Sequence, residues 1–472
     1  MSATAEHLLT LQEDNLPPGW TLATIEDLVG KGGVFIDGDW VESKDQDPEG
    51  DVRLIQLADV GDGEYRNKSA RFLTYERAIQ LGCTFLQKGD VLIARMPDPL
   101  GRACIFPGDS KPAVTVVDVA IVRSANGEFN HRWLMYFVNA PAFRTAVASM
   151  QSGSTRKRIS RGNLSKISLP VPPLDQQKRI VAEIEKQFSR LDEGINNLKR
   201  VKANLKRYKA AVLKAAVEGR LVETEAEIAK REGRNFETGA QLLQRILETR
   251  RSQWTGRGKY KEPAAADTTD LPELPEGWVW ATVDQLGEVK LGKMLDRQKH
   301  VRGQELPYLR NINVRWGWVD TNDLLTMFFE EDELERFRLL QGDVLVCEGG
   351  EPGRAAVWLG RPAAMKYQKA LHRVRLHEGF QPQLLVYLLE YLAATGRLEH
   401  WFTGSTIKHF TRESFLLMPI PLPPIAEQHR IVAEVDRRLS LLRETETQVD
   451  ANFQRAERMR QSILQSAFRG DS

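Results

Sequence analysis

The apolar positions of this 472-residue chain follow two regimes that alternate twice. Ile184, Phe188, Leu191, Ile195, Leu198, Leu205, Tyr208 and Val212 stand mostly three or four residues apart, with charged residues between them. Val435, Leu439, Leu442, Val449, Phe453, Ala456, Met459 and Ile463 form a matching stripe, with Glu446 where the first has Ile195. Such spacing predicts two long helices with a coiled-coil seam. About 44 residues at 1.5 Å each reach roughly 65 Å. A lone helix of that length leaves its stripe in water, so the two are expected to pack on each other. Gly219 and Gly470 stand at matching positions that suit helix C-termini. Ahead of each helix lie short apolar runs bounded by Gly, Asp and Pro, which predict strands at 52–57, 91–94, 114–122 and 344–347. Helical stretches are expected at 130–150 and 381–395. A further amphipathic stretch spans 239–254, and 255–273, rich in Gly, Pro, Ala and Thr, predicts a linker.

The alternation is an internal repeat. Residues 153–183 and 404–434 align without a gap, with 14 of 31 positions identical. Each copy carries a proline run, Pro170-Val171-Pro172-Pro173 or Pro421-Leu422-Pro423-Pro424, and proline opens a helix readily because its missing N–H is not needed there. Leu16-Pro17-Pro18-Gly19-Trp20 returns as Leu274-Pro275-Glu276-Gly277-Trp278, Gly89-Asp90-Val91-Leu92 as Gly342-Asp343-Val344-Leu345, and Gly101-Arg102-Ala103 as Gly353-Arg354-Ala355. Two copies are too few for a solenoid and imply a pseudo-two-fold molecule. Its expected parts are a first domain at 1–169, a long helix at 170–220, a helical extension and linker at 221–273, a second domain at 274–420 and a second long helix at 421–472. The expected fold class is α+β.

Composition narrows the class. With 42% hydrophobic and 28% charged residues, the chain reads as an ordinary globular protein. No apolar run is long enough for a membrane span, and the first residues carry no secretory pattern. Cys83, Cys104 and Cys347 are odd in number and far apart, so neither disulfides nor a zinc site is expected, and the chain reads as reduced and cytoplasmic. The net charge of +2 hides a contrast: 155–220 holds 17 Lys/Arg against 6 Asp/Glu, whereas 1–154 holds 14 against 21 and 257–405 holds 19 against 22. The basic footprint expected of a nucleic-acid binder therefore falls on the first helix. The run 37–51, with seven acids and one lysine, is not expected to touch DNA.

The proline-stopped helices, the order of parts and the pattern Pro421-Leu422-Pro423-Pro424, Glu427-Gln428, Ile431-Val432-Ala433-Glu434 resemble the specificity subunits of type I DNA restriction-modification systems. The resemblance covers essentially the whole chain. Stretches starting at Arg53, Ala94, Leu291, Pro307 and Cys347 resemble target-recognition-domain sequences. It implies two recognition domains, each reading half of a split DNA site, and an antiparallel coiled coil that sets their spacing and docks two methyltransferase subunits. Those subunits would use S-adenosylmethionine to methylate adenine N6. Two restriction subunits would use ATP and Mg. This chain would bind no cofactor or metal and catalyse nothing.

Candidate DNA contacts follow from side-chain chemistry, because Arg and Asn match guanine and adenine edges. They are Arg53, Gln56, Arg95 and Arg102 in the first half, and Arg310, Asn311, Asn313, Arg315, Lys366, Gln368 and Lys369 in the second. Lys157 and Arg161, repeated as Lys408 and Arg412, read equally as phosphate contacts or as hinges. Other chemistry is thin. No phosphate-binding GxxxxGK[ST] loop is present. Asn15 to Trp20 only superficially resembles an adenine-methyltransferase tetrapeptide. Asp98, Asp109 and Lys111 fit a loose metal-nuclease pattern, but Gly108 and Pro112 make a turn of it. The glycine turn at 348–354 and the scattered histidines match no standard phosphate or metal site. An enzyme centred on Asp98, Asp109 and Lys111, or a coiled-coil adaptor without a DNA role, are the competing readings.

Overall fold

A computed structural model describes residues 16–97, 99–125, 127–154, 156–256, 258–295 and 302–468. The chain divides into two compact units, Met1–Lys199 with Asp450–Ser472, and Arg200–Val449.

The first unit contains strands β1 (Thr21–Ala23), β2 (Val34–Asp37), β3 (Val52–Ile55), β4 (Phe72–Leu73), β5 (Val91–Ala94), β6 (Ala103–Ile105), β7 (Ala113–Thr115), β8 (Val119–Arg123) and β9 (Leu169–Val171). Its helices are α1 (Ile25–Val29), α2 (Tyr75–Gln80), α3 (His131–Asn139), α4 (Pro141–Ser149), α5 (Arg161–Leu164) and the start of α6 (Leu174–Val217). An antiparallel sheet runs β2-β8-β5-β6, a second runs β4-β3-β7, and β1 pairs with β9. Two expectations are corrected. The run 114–122 is not one strand: a turn closed by Val119 N–H to Val116 O at 3.0 Å passes the chain from the β3 sheet to the β5 sheet. The stretch 130–150 is two helices, because Pro141 has no N–H to continue α3 and instead starts α4.

The second unit holds α7 (Glu225–Glu232), α8 (Gly239–Ser252), β10 (Val279–Thr282), α9 (Val283–Leu286), β11 (Gly287–Leu291), β12 (Gln304–Leu309), β13 (Val314–Arg315), β14 (Trp318–Val319), β15 (Leu325–Phe329), α10 (Glu331–Arg336), β16 (Val344–Cys347), β17 (Ala355–Val357), β18 (Lys366–Tyr367), β19 (Leu371–Leu376), α11 (Pro382–Ala394), α12 (Arg412–Leu416), β20 (Pro419–Leu422) and most of α13 (Ile425–Ala467). Its sheets, β11-β19-β16-β17, β15-β12-β18 and β10-β20, repeat those of the first unit strand for strand; the hairpin β13-β14 is additional.

The proline runs do more than open helices. Leu169–Val171 and Pro419–Leu422 are strands that pair with the chain just after Trp20 and Trp278, so the repeated Gly-Trp segment and the repeated proline segment form one small sheet in each unit. Gln177 and Gln428 lock the sheet–helix junction. Each donates its Nε2–H to the carbonyl of Pro172 or Pro423 at 2.9 Å. Each accepts, at 2.8 and 2.9 Å, the backbone N–H of Asn130 or Gln381, the residue that precedes α3 or α11. Both side chains are buried, where an unpaired amide is costly, so the pattern of four bonds fixes the angle at which the long helix leaves the domain.

Within the first unit, α6 and α13 run antiparallel. Ile180 and Ile184 lie near Met459 and Ile463, while Leu191, Ile195 and Leu198 lie near Asn452 and Ala456. Ile184, Phe188 and Leu464 are buried in the domain core, and Arg460 bonds Asp192 at 2.5 Å while its guanidinium covers Phe188. Further along, Leu191, Ile195, Leu198 and Phe453 are half-buried and Met459 is 48% exposed, because only the other helix covers them there. Within the second unit, Val435, Leu439 and Leu442 join Val212, Leu213 and the domain core; Val449 is buried, and Leu205 is half-buried against the same core. At the end of α6, Gly219 has φ +67 and Arg220 N–H reaches Ala215 O at 2.8 Å, a left-handed helix stop. Gly470 lies outside the described residues.

A candidate nucleic-acid interface

In each unit the repeated Gly-Ser pair lies at the tip of a β-hairpin. Ser152 and Arg158 exchange two backbone hydrogen bonds of 2.8 Å; Thr403 and His409 do the same at 2.8 and 2.9 Å. Gly153 (φ +95) and Gly404 (φ +91) make the bend, with the carbonyls of Arg156 and Ile407 packed where a side chain would begin. Behind each tip a buried apolar residue, Ile159 or Phe410, fastens the hairpin to the loop following the central strand: Ile159 N–H donates to Arg95 O at 3.1 Å, and Phe410 N–H to Glu348 O at 2.8 Å. His372 completes the second clamp, its Nε2–H bonding Phe410 O at 2.7 Å. Burial lowers the pKa of His372, which keeps the ring neutral.

The tips project chemistry suited to phosphate and base edges. Arg156, Lys157 and Arg158 are exposed on the first, and Ser405, Thr406, Ile407 and Lys408 on the second. Ile407 is 67% exposed and faces no core. In the second unit Asn311 lies alongside, its Nδ2–H donating to Gly349 O at 3.3 Å, with Ile312 and Trp318 exposed nearby in sequence.

Arg161 and Arg412 resolve toward anchoring: Arg161 donates to Phe35 O on β2 at 3.1 Å and Arg412 to Val289 O on the equivalent β11 at 2.9 Å. Three other expectations are corrected outright. Arg102 is buried, and its guanidinium donates to the carbonyls of Leu57, Val60, Met96 and Pro99. Asn313 is buried and bonds Asp320 O, Asp323 O and Arg310 N–H. Lys366 is buried, with Nζ on Leu334 O. Each of these groups holds loops together and has no face toward a duplex. Arg53 pairs with Asp109 at 2.7 Å, Arg310 with Asp323 at 2.7 Å, and Arg95 reaches Val117 O at 2.6 Å beside Asp37, so these three shape loops as well. Gln56, Arg315 and Gln368 are half-buried, and Lys369 is exposed. The signal that sequence reasoning underused was the ungapped Gly-Ser-Thr repeat, which marks the hairpins directly.

The described part of the nuclease pattern, Asp109 and Lys111, is held in other contacts. Asp98 lies outside the described residues. Asp109 is held by Arg53, and Lys111 Nζ donates to Gly50 O at 3.0 Å above the Phe72 ring. Among the described residues no group of three His, Cys, Asp or Glu is placed to hold a metal, and no helix is long and apolar enough to cross a membrane.

Residues 17–205 match the family model of the type I restriction modification DNA specificity domain. The chain is similar to the EcoKI specificity subunit of Escherichia coli K12, 24% identical over 345 residues, a match spanning 72% of this chain and 65% of that one. It is also similar to the EcoAI specificity subunit of Escherichia coli, 22% identical over 500 residues that span 89% of this chain and 77% of the relative. Among solved structures, the HsdS subunit from Thermoanaerobacter tengcongensis shares the fold, with TM-score 0.52 at 18% identity and coverage of 97% of this chain and 98% of that one.

Proposed function

We propose that the chain belongs to the family of type I restriction-modification specificity subunits and is the DNA-reading, non-catalytic subunit of such a complex, each unit gripping one half of a split sequence. The observation that carries this reading is the duplication: the same three sheets and the same clamped hairpin occur in both units. A target with two separated words needs two similar readers, and a stiff connection between readers selects the spacing, as half-site spacing follows dimer geometry elsewhere. The long helices α6 and α13 suit that role. The hairpin lysines supply sequence-independent phosphate attraction, while the neighbouring loops supply side chains for base edges.

Adenine chemistry requires the base out of the stack. This chain would hold the duplex while two methyltransferase subunits with S-adenosylmethionine modify adenine N6. Two restriction subunits with ATP and Mg would complete a cytoplasmic assembly. The test is reconstitution. With modification subunits and S-adenosylmethionine, a genomic DNA library should acquire N6-methyladenine in one bipartite sequence, and exchanging the region 16–169 for that of a relative should change one half of it only. Methyl transfer by the purified chain alone, or a change in both halves, would refute the reading.

A further inference from the structure

The two units differ on one face. In the second, α7 and α8 cover β10, α9 and the β20–α13 junction: Leu242 and Ile246 are buried against that core, Gly239 packs on Leu422 O, and Phe236 lies on Gly277. Arg250, in the last turn of α8, donates to the main-chain oxygen and the carboxylate of Asp284. Beneath this cover Ala281, Thr282, Leu422 and Glu427 are all 0% exposed.

Among the described residues, nothing covers the same face of the first unit. The equivalents Ala23, Thr24, Val171 and Gln176 are each only half-buried, and Pro173 is exposed where Pro424 is buried. Gly19, the partner of Gly277, keeps the contact with its proline at 3.7 Å, but no aromatic ring lies on it. Gly127, in the turn matching the one that Leu242 and Ile246 pack against at Gly379, has nothing within 4 Å. The backbone is thus shaped for a lid that no described residue supplies. Its charge is also set: Glu26 stands where Asp284 receives Arg250, and it is exposed with Asp27 next to it in the chain.

We propose that this face of the first unit, formed by β1, α1 and the β9–α6 junction, docks an amphipathic helix of a partner polypeptide. That helix carries aliphatic side chains four residues apart and a cationic last turn. The occupant is specified by the molecule's own second unit, which shows what fits an equivalent surface. A cation at the C-terminal turn meets Glu26 as Arg250 meets Asp284, and two aliphatic groups cover the apolar seam. The inference rests on the reading of this chain as one subunit of a larger complex.

The probe is a fluorescent peptide with the sequence of residues 234–254, titrated into the full chain and followed by anisotropy. Saturable binding is expected, weakened at least tenfold by Glu26→Arg and restored when the peptide's Arg250 and Arg251 are changed to Glu. Because a short peptide is poorly helical alone, a second arm places residues 234–273 directly before Leu16, where the tether supplies a high effective concentration. Amides in 21–29 and 169–176 should then exchange at least tenfold more slowly, and Leu242→Asp with Ile246→Asp in the grafted copy should abolish this. No peptide binding together with unchanged exchange in the graft would overturn the proposal. In the complex with modification subunits the same amides should be protected in the unmodified chain; absence of that protection would remove the partner. A concentration-dependent doubling of mass of the chain alone, abolished by Glu26→Arg, would instead give the face to a second copy and overturn it. No arm contains DNA, so these results stand apart from those of the split-site methylation test.

Discussion

Glu427→Gln probes how α7 is held to the second unit. The buried Glu427 carboxylate accepts Trp278 Nε1–H at 3.0 Å on one oxygen and the backbone N–H of Glu225, at the start of α7, at 2.9 Å on the other. An amide offers one acceptor oxygen and one NH2, so one of those two donors must face another donor. If the tryptophan keeps the oxygen, as Trp20 does with Gln176 at 3.1 Å in the first unit, the α7 N–H loses its partner. Leaving a buried donor unsatisfied costs about 1–3 kcal/mol. The loss falls on α7, whose Glu225 also bonds Arg430 at 2.7 Å and Arg234 at 2.6 Å.

Burial raises the pKa of Glu427 above the ordinary carboxylate value. The unfolded chain therefore releases this proton first as pH rises, and the folded state holds more protons between the two values. Stability contributed by this group falls as pH rises through that window and is fully present below it. Hydrogen exchange of α7 amides should be faster in the variant at pH 7 by about 5-fold or more, the factor that roughly 1 kcal/mol implies. The pH dependence due to this residue should vanish. Unchanged α7 protection at pH 7, or an unaltered pH slope, would refute the reasoning.

Lys157→Ala and Lys408→Ala should each weaken DNA binding by the assembled complex without changing which sequence is methylated. Each should lower the slope of log K against log salt by about 1, measured by titration at several salt concentrations. Gln428→Leu removes the amide that bonds Gln381 N–H, Pro423 O and Gly379 O, and should destabilise the second unit by about 2–4 kcal/mol in urea unfolding. The same change at Gln177 should act on the first unit. Desolvation pushes the thiols of Cys83 and Cys104 up to about 12 and that of Cys347 up to about 11. All three are buried and should resist a thiol reagent at pH 8 until the chain unfolds, and prompt reaction of the folded chain would contradict this placement.

Long helices were legible because their period repeats many times, and each repetition adds to the same signal. The strands at 91–94 and 344–347 were legible as dense apolar runs, and both proved fully buried. The DNA-contact candidates were less so. Arg102 and Lys366 have the composition of base or phosphate contacts, but a guanidinium or ammonium serves equally well to collect loop carbonyls. Side-chain chemistry does not distinguish those uses; only knowledge of which carbonyls converge does. Lys157 and Arg161 are four residues apart, yet one is exposed on a hairpin tip and the other reaches a strand 126 residues away.

Order along the chain, the duplication, the helical period and the family signature are properties of sequence alone, because each is carried by residue identity and spacing along the chain. Tertiary structure decided what spacing does not carry. It joined the Gly-Trp segment to the proline run as one small sheet, made the paired glutamines its lock, and, among the described residues, left one face open in the first unit where α7 and α8 close it in the second. These features depend on groups far apart in the chain meeting at hydrogen-bond distance, 47 residues at each glutamine and more at each small sheet. A buried polar atom accepts whichever donor the fold brings to it, and no local pattern names that donor in advance.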